Sequence, residues 1–224
     1  MAKDEATSIR KSGTIVVGGT GRVAVEPDVA DLQLGVSIAR PTVDAARSDA
    51  AAAMTSILAA VRAAGVADAD IRTTLVSVQP RYDYRDGRAP VLTGYDLSNS
   101  VQVTVRDLAA LGSVIDGSLQ AGATSMDSLS FRLEDPSQAE RAARLAAVAE
   151  ARSRADVLAE AAGVTIAGVA DIVEGGGTGP GYPQPKAARM MLADSATPVQ
   201  AGTTEISVSV TVTFRLGQSP GQSG

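Results

Sequence analysis

The chain of 224 residues contains no histidine and no cysteine. Without His it lacks the usual general acid/base, the Ser-His-Asp triad and the commonest metal ligand. Without Cys it has no disulfide, no thiol nucleophile and no thiolate zinc site; this absence is compatible with any redox compartment. Trp is also missing, and two Phe and four Tyr are the whole aromatic content. The core must then be built from Val, Ile, Leu and Ala, which is feasible at 45% hydrophobic residues. Lysine occurs only at Lys3, Lys11 and Lys186, and the formal net charge is −5. That balance argues against a general nucleic-acid binder. No run approaches the roughly 20 apolar residues of a membrane-spanning helix. Nor does an apolar stretch of about 7–15 residues, as a secretory signal requires, precede Thr14. The chain as written therefore reads as cytoplasmic, and as periplasmic or extracellular if an export signal was removed.

What is present is a regular alternation of strand and helix patterns. Residues 1–13 and 217–224 read as polar tails flanking one domain over 14–216. Thr14–Val25 is a Val-rich strand interrupted by Gly18, Gly19 and Gly21, which predict a bulge or a close backbone approach. Glu26-Pro27-Asp28 is a turn, and Val29–Ala39 alternates Leu32, Leu34, Val36 and Ile38 with polar or small residues. The two strands read as neighbours in one sheet, with the following helix as its cover. That helix opens at Thr42 as N-cap, runs Val43, Ala46, Ala50, Met54, Ile57, Val61 on one face, and stops at Gly65. Strands follow at 70–84 and 91–105, joined by a hairpin tip at 85–88. A short helix capped by Asp107 ends near Gly122, and a strand from Met126 to Leu133 offers Met126, Leu129 and Phe131 to the core. The longest helix runs from Pro136 to Ala162, with Glu150–Arg154 and Arg152–Asp156 on its solvated side. Strands at 164–174 and 203–216 enclose a Gly/Pro-rich loop. Ala63-Ala64-Gly65-Val66 and Ala161-Ala162-Gly163-Val164 echo each other.

Four features compete as sites. Gly18-Gly19-Thr20-Gly21-Arg22 looks like a phosphate loop, but no Lys-Ser/Thr pair follows and the glycines lead into a strand rather than a helix. A structural role is expected. The carboxylates Asp28, Asp31, Asp68, Asp70, Asp83 and Asp86 lie in turns and at strand edges without a calcium-loop spacing, and read as local hydrogen bonders. The hairpin end carrying Arg81, Tyr82 and Tyr84 reads as a structural or subunit contact. The loop from Gly175 to Pro198, with Tyr182, Met190 and Met191, reads as a segment ordered by a neighbouring subunit. No catalytic, cofactor-binding or metal residue emerges from spacing.

Several stretches carry a family resemblance: GTGRVAVEPDVADLQLGV, ARPTVDAA, GVADADIRTTLVSVQPRYDY, LTGYDLSNSVQVTVRDLAALGSVIDGSLQAGA, SLSFRL, ARSRADVLAEAAGV and TPVQAGTTEISVSVTVTF. In this order the chain resembles the SIMPL domain family. The resemblance implies a two-lobed α+β domain, with long helices packed on largely antiparallel sheets. It further implies homo-oligomers and a link to oxidative or envelope stress, with no catalytic motif to transfer and no cofactor. On that basis the expected protein is non-enzymatic and self-associating; the alternative is a binding module for a small molecule or protein partner. Many bacterial members are exported, whereas no export signal is visible here.

Overall fold

The computed structural model describes residues 13–84, 89–175 and 197–217. Helices and antiparallel sheets are mixed along the chain, which makes the fold α+β. The sequence readings at 1–12, 85–88, 176–196 and 218–224, the tails and the hairpin tip among them, lie outside the described residues. Among the described residues the strands are β1 (Thr14–Val25), β2 (Val29–Arg40), β3 (Ile71–Asp83), β4 (Val91–Val105), β5 (Ser125–Arg132), β6 (Thr165–Glu174) and β7 (Thr204–Gly217). The helices are α1 (Val43–Ala63), α2 (Leu111–Gln120) and α3 (Ser137–Ala161).

The chain divides into two compact units. One contains the sheet β1-β7-β6 and helix α3; the other contains the sheet β3-β4-β2-β5 with α1 and α2. This corrects the reading of β1 and β2 as sheet neighbours. Both edges of β2 are already used, by β4 on one side and β5 on the other, so β1 pairs with β7 instead. The helix that follows β2 covers only the second of these sheets.

In the second unit, Leu32, Leu34 and Val36 of β2 and Leu97, Val101 and Val103 of β4 face Ala46, Ala50, Met54, Ile57 and Val61 of α1. Leu111, Val114 and Ile115 of α2 complete this core. Thr42 caps α1 as the sequence predicts, its Oγ1 accepting from the Ala45 amide at 3.3 Å. Val43 stands outside the buried face. Met126 does not join the core: it is 44% exposed, on an edge strand beside the bulged residue Asp127, while Leu129 and Phe131 pack against the core.

The first unit is built differently. The buried residues of α3 are Ala143, Ala147, Ala151, Ala155 and Ala159, one column at i, i+4 spacing. Opposite them stand Gly19 and Gly21 on β1 and Ile206, Val208, Val210, Val212 and Phe214 on β7. A Cβ at Gly19 would lie 2.1 Å from the Ala147 carbonyl oxygen, and one at Gly21 would lie 1.8 Å from that of Ala143. β1 pairs with β7 in unbroken register from Thr14 to Val25. The glycines therefore mark a close approach between helix and strand, and no bulge.

Among the described residues, the α-helices α1, α2 and α3 end alike. Gly65, Gly122 and Gly163 have φ of 93°, 105° and 65°, and the residue after each donates its amide back across the last turn. The Ala-Ala-Gly-Val echo is this stop signal, repeated in Gln120-Ala121-Gly122-Ala123.

Adding a methyl where there is no room costs on the order of 1–3 kcal/mol, and more where backbone blocks relaxation. Gly21→Ala is expected to lower the thermal midpoint by several degrees or abolish folding. Gly18→Ala, whose Cβ would meet only the Val210 oxygen at 3.8 Å, is expected to change it little. Thermal denaturation followed by circular dichroism compares the two.

Candidate interaction surface

β3 and β4 form a ribbon whose outer part is left uncovered by α1. Their register pairs Ile71 with Val103, Val76 with Asn99, Val78 with Leu97, and Tyr82 with Leu92. Cross-strand partners share a face. Ile71 and Leu97 belong to the core, so Val76, Val78, Pro80, Tyr82 and Leu92 continue the core-facing side of the sheet beyond the helix. There they are exposed: Val76 by 64%, with Val78, Tyr82 and Leu92 between 39% and 46%. Tyr84 extends the strip, 76% exposed, its ring 6.3 Å from that of Tyr82 and tilted by 57°. The other face carries Ser77, Gln79 and Arg81.

Two local devices set the ribbon's course. Thr93 is an extra residue in β4 between the pairs Arg81–Gly94 and Tyr82–Leu92. Next to it Gly94 has φ of 155°, and a Cβ there would stand 2.6 Å from the Arg40 carbonyl oxygen. Across the ribbon Arg81 holds Asp96 with two hydrogen bonds, Nε to Oδ2 at 3.2 Å and Nη2 to Oδ1. Those bonds raise the Arg81 guanidinium above its ordinary range. Opposite Val76, the side-chain oxygen of Asn99 is buried and accepts no hydrogen bond. A partner lying over the strip would cover its apolar side chains.

Of the six residues expected to make contacts, the structure brings Arg81, Tyr82 and Tyr84 to one end of β3. Tyr182, Met190 and Met191 lie outside the described residues. Val76, Val78 and Leu92 were missed by the sequence reading. Their signal was available: Val76, Val78, Pro80, Tyr82 and Tyr84 recur at every second position, opposite polar Ser77, Gln79, Arg81 and Asp83.

The carboxylates mostly serve ion pairs. Asp31 accepts from Arg132 Nε at 2.7 Å and from the Thr104 hydroxyl at 2.7 Å. Asp70 accepts from Arg106, which also binds Glu134; Asp68 accepts from Arg62 at 2.6 Å. Asp28 accepts from the Glu134 amide at 2.8 Å. Among the described residues no three His, Cys, Asp or Glu side chains are arranged to hold a metal ion. No helix among them is long and apolar enough to cross a membrane. The phosphate-loop candidate is a straight strand, with Gly19 and Gly21 packed under α3. Beside it lies an open groove of about 410 Å³ lined by Val17, Gly18, Ser153, Arg154, Val157 and Leu158, which includes none of the six.

The family model "SIMPL: Protein of unknown function (DUF541)" matches residues 15–214. The chain belongs to the SIMPL family. Within reach of this SIMPL chain is the 26 kDa periplasmic immunogenic protein of Brucella melitensis, 37% identical over 212 residues, which cover 90% of this chain and 84% of the relative. The uncharacterized protein YggE of Escherichia coli K12 is 32% identical over 155 residues, 69% of this chain and 63% of the relative. YggE of Edwardsiella ictaluri is 28% identical over 165 residues, 74% and 69% of the two chains.

Asp31 yields a pH prediction. Burial raises its pKa, but the hydrogen bonds from Arg132 and Thr104 outweigh this and hold it below its ordinary 3.8. A carboxylate with a depressed folded pKa contributes stability that is present above the unfolded value and lost as pH falls through the folded one. Asp31→Asn is expected to lower stability at neutral pH and to narrow the difference from wild type below pH 3.8. Urea midpoints measured across pH 2–7 (roughly the range of carboxylate titration) would show convergence on the acid side.

Proposed function

We propose that this SIMPL protein is a non-enzymatic, self-associating protein whose contact surface is the apolar face of the β3–β4 ribbon. One observation carries the reading: Val76, Val78, Tyr82, Tyr84 and Leu92 form a continuous exposed apolar strip on a sheet edge. Isolated exposed apolar residues are ordinary, whereas a contiguous strip marks an interaction surface. The Tyr pair supplies area with little side-chain entropy to lose, a property of contact residues. An open strip also suits a protein partner better than a small molecule, which needs a concave site.

The two units are read as the lobes of a SIMPL-type domain, with the long helices α1 and α3 each covering one sheet. Nucleic acid is an unsuitable partner for a chain of net charge −5. The Brucella relative's name places that protein in the periplasm. We extend that location to this chain, in preference to the cytoplasmic reading. A contribution to oxidative or envelope stress tolerance is the cellular role proposed for the assembly.

Size-exclusion chromatography with light scattering tests the association. Wild type at micromolar concentration is expected to elute as an oligomer, and Val78→Asp with Tyr84→Ser as a smaller species with an unchanged circular dichroism spectrum. A monomeric wild type, or a variant of unaltered mass, rejects the reading. For the cellular role, a deletion strain should survive peroxide less well than its parent, with Val78→Asp failing to restore survival.

A further inference from the structure

Sheets end in edge strands, whose unpaired amides and carbonyls are templates for another strand. The described sheets have four. Three carry bulged residues of their own: Thr74 on β3, Asp127 on β5, and Ala167 and Ala170 on β6. A bulge twists an edge and interrupts pairing. The β3 edge also contains Pro80, which has no amide to donate.

β1 has none of these devices. It is a 12-residue edge strand with no register shift against β7. Its middle is occupied in another way. The Thr20 amide donates to Glu150 Oε2 at 2.5 Å, and the Gly18 carbonyl accepts from Arg154 Nη1 at 2.9 Å. Glu150 and Arg154 stand one turn apart on α3 and bond each other at 2.6 Å. The pair is solvent-exposed, as the i, i+4 pattern predicts, with side chains 56% and 37% accessible for Arg154 and Glu150. It also reaches down to the strand: the carboxylate takes the place of an incoming carbonyl, and the guanidinium that of an incoming amide. Gly18 and Thr20 are two residues apart, and alternate residues of a strand present their backbone groups to the same side. The two bonds thus span consecutive pairing positions of one edge.

We propose that Glu150 and Arg154 form a cap that keeps the free edge of β1 from pairing with the β1 strand of a second copy of this chain. The cap stands in for the bulges that β3, β5 and β6 possess. A bulge in β1 would displace Gly19 and Gly21 from the alanines of α3, so the edge is closed by side chains and the strand stays straight. A second β1 is the matching occupant because two identical straight strands pair about a two-fold axis, each supplying the same groups. This proposal is independent of the ribbon surface and stands or falls separately from it.

The test compares wild type, Glu150→Gln, Glu150→Ala and the Glu150→Ala/Arg154→Ala double variant. Each is also made with Val78→Asp, so that association through the ribbon does not interfere. Hydrogen exchange at the Thr20 amide is read by NMR, and mass by sedimentation velocity at several concentrations. Read at concentrations where the variants are monomeric, exchange is expected to rise about tenfold or more in the alanine variants, the size of effect a lost charge-assisted bond gives, and less in Glu150→Gln, which keeps an acceptor. The double variant should also gain a concentration-dependent dimer. Unchanged Thr20 exchange in the monomer overturns the cap, and faster exchange in the monomer without a dimer at higher concentration overturns its proposed purpose. Should the variants fail to fold, wild type is examined in acid. The Thr20 bond, with help from Arg154, holds the Glu150 carboxyl below its ordinary 4.5, so the cap is intact above that pH and lost as pH falls through the lowered value. Thr20 exchange, corrected for the intrinsic rate, should rise over that window; a flat profile overturns the proposal.

Discussion

The constraint on which the first unit depends is the absence of side chains where α3 meets β1. Hydrogen at Gly19 and Gly21 lets the backbone carbonyls of Ala147 and Ala143 come within reach of the strand. Alanine at every fourth position of the helix keeps the approach open along its length. Each alanine buries less apolar area than a leucine would, so the large residues of β7, Phe214 above all, carry more of the hydrophobic gain. The closeness also puts Glu150 and Arg154 within reach of the β1 edge. Bulkier residues at the seam would hold the helix away and leave that edge uncovered.

The second unit uses the opposite solution. Branched and long side chains fill the space between α1, α2 and the sheet, and α1 covers β2 and β4. β3, at the edge, runs on past the helix. The extra residue Thr74 shifts the alternation by one position, so the side that Ile71 presents to the core is continued by Val76, Val78 and Tyr82, which form an exposed strip. The proposed surface is thus a continuation of the core pattern past the point where the chain supplies its own cover.

Much of this was legible in the residues. Helix ends followed from Thr42, Asp107, Gly65, Gly122 and Gly163, because caps and left-handed glycines act locally. Strand faces followed from alternation in β2, β4 and β7. Partner choice did not follow: Pro27 marks a turn equally well whether the next strand returns beside β1 or enters another sheet. The glycines of β1 read as a bulge or a close approach, and only the position of α3 decided between them. Glu150 and Arg154 looked like an ordinary solvated pair because i, i+4 spacing says nothing of what lies below the helix. Of the candidate contact residues, Tyr82 and Tyr84 were conspicuous as aromatics in a chain that has few. Val76 and Val78 were not, since a valine in a strand is normally buried.

The central claim is that the outer β3–β4 ribbon is the working surface of this SIMPL chain. Its most direct test is hydroxyl-radical footprinting of the wild-type protein over a range of concentrations. Protection that grows with concentration at Val76, Val78, Tyr82, Tyr84 and Leu92, while Val16 on β1 and Leu145 on α3 stay reactive, is the predicted result. Protection centred elsewhere, or a footprint that does not change with concentration, would contradict it.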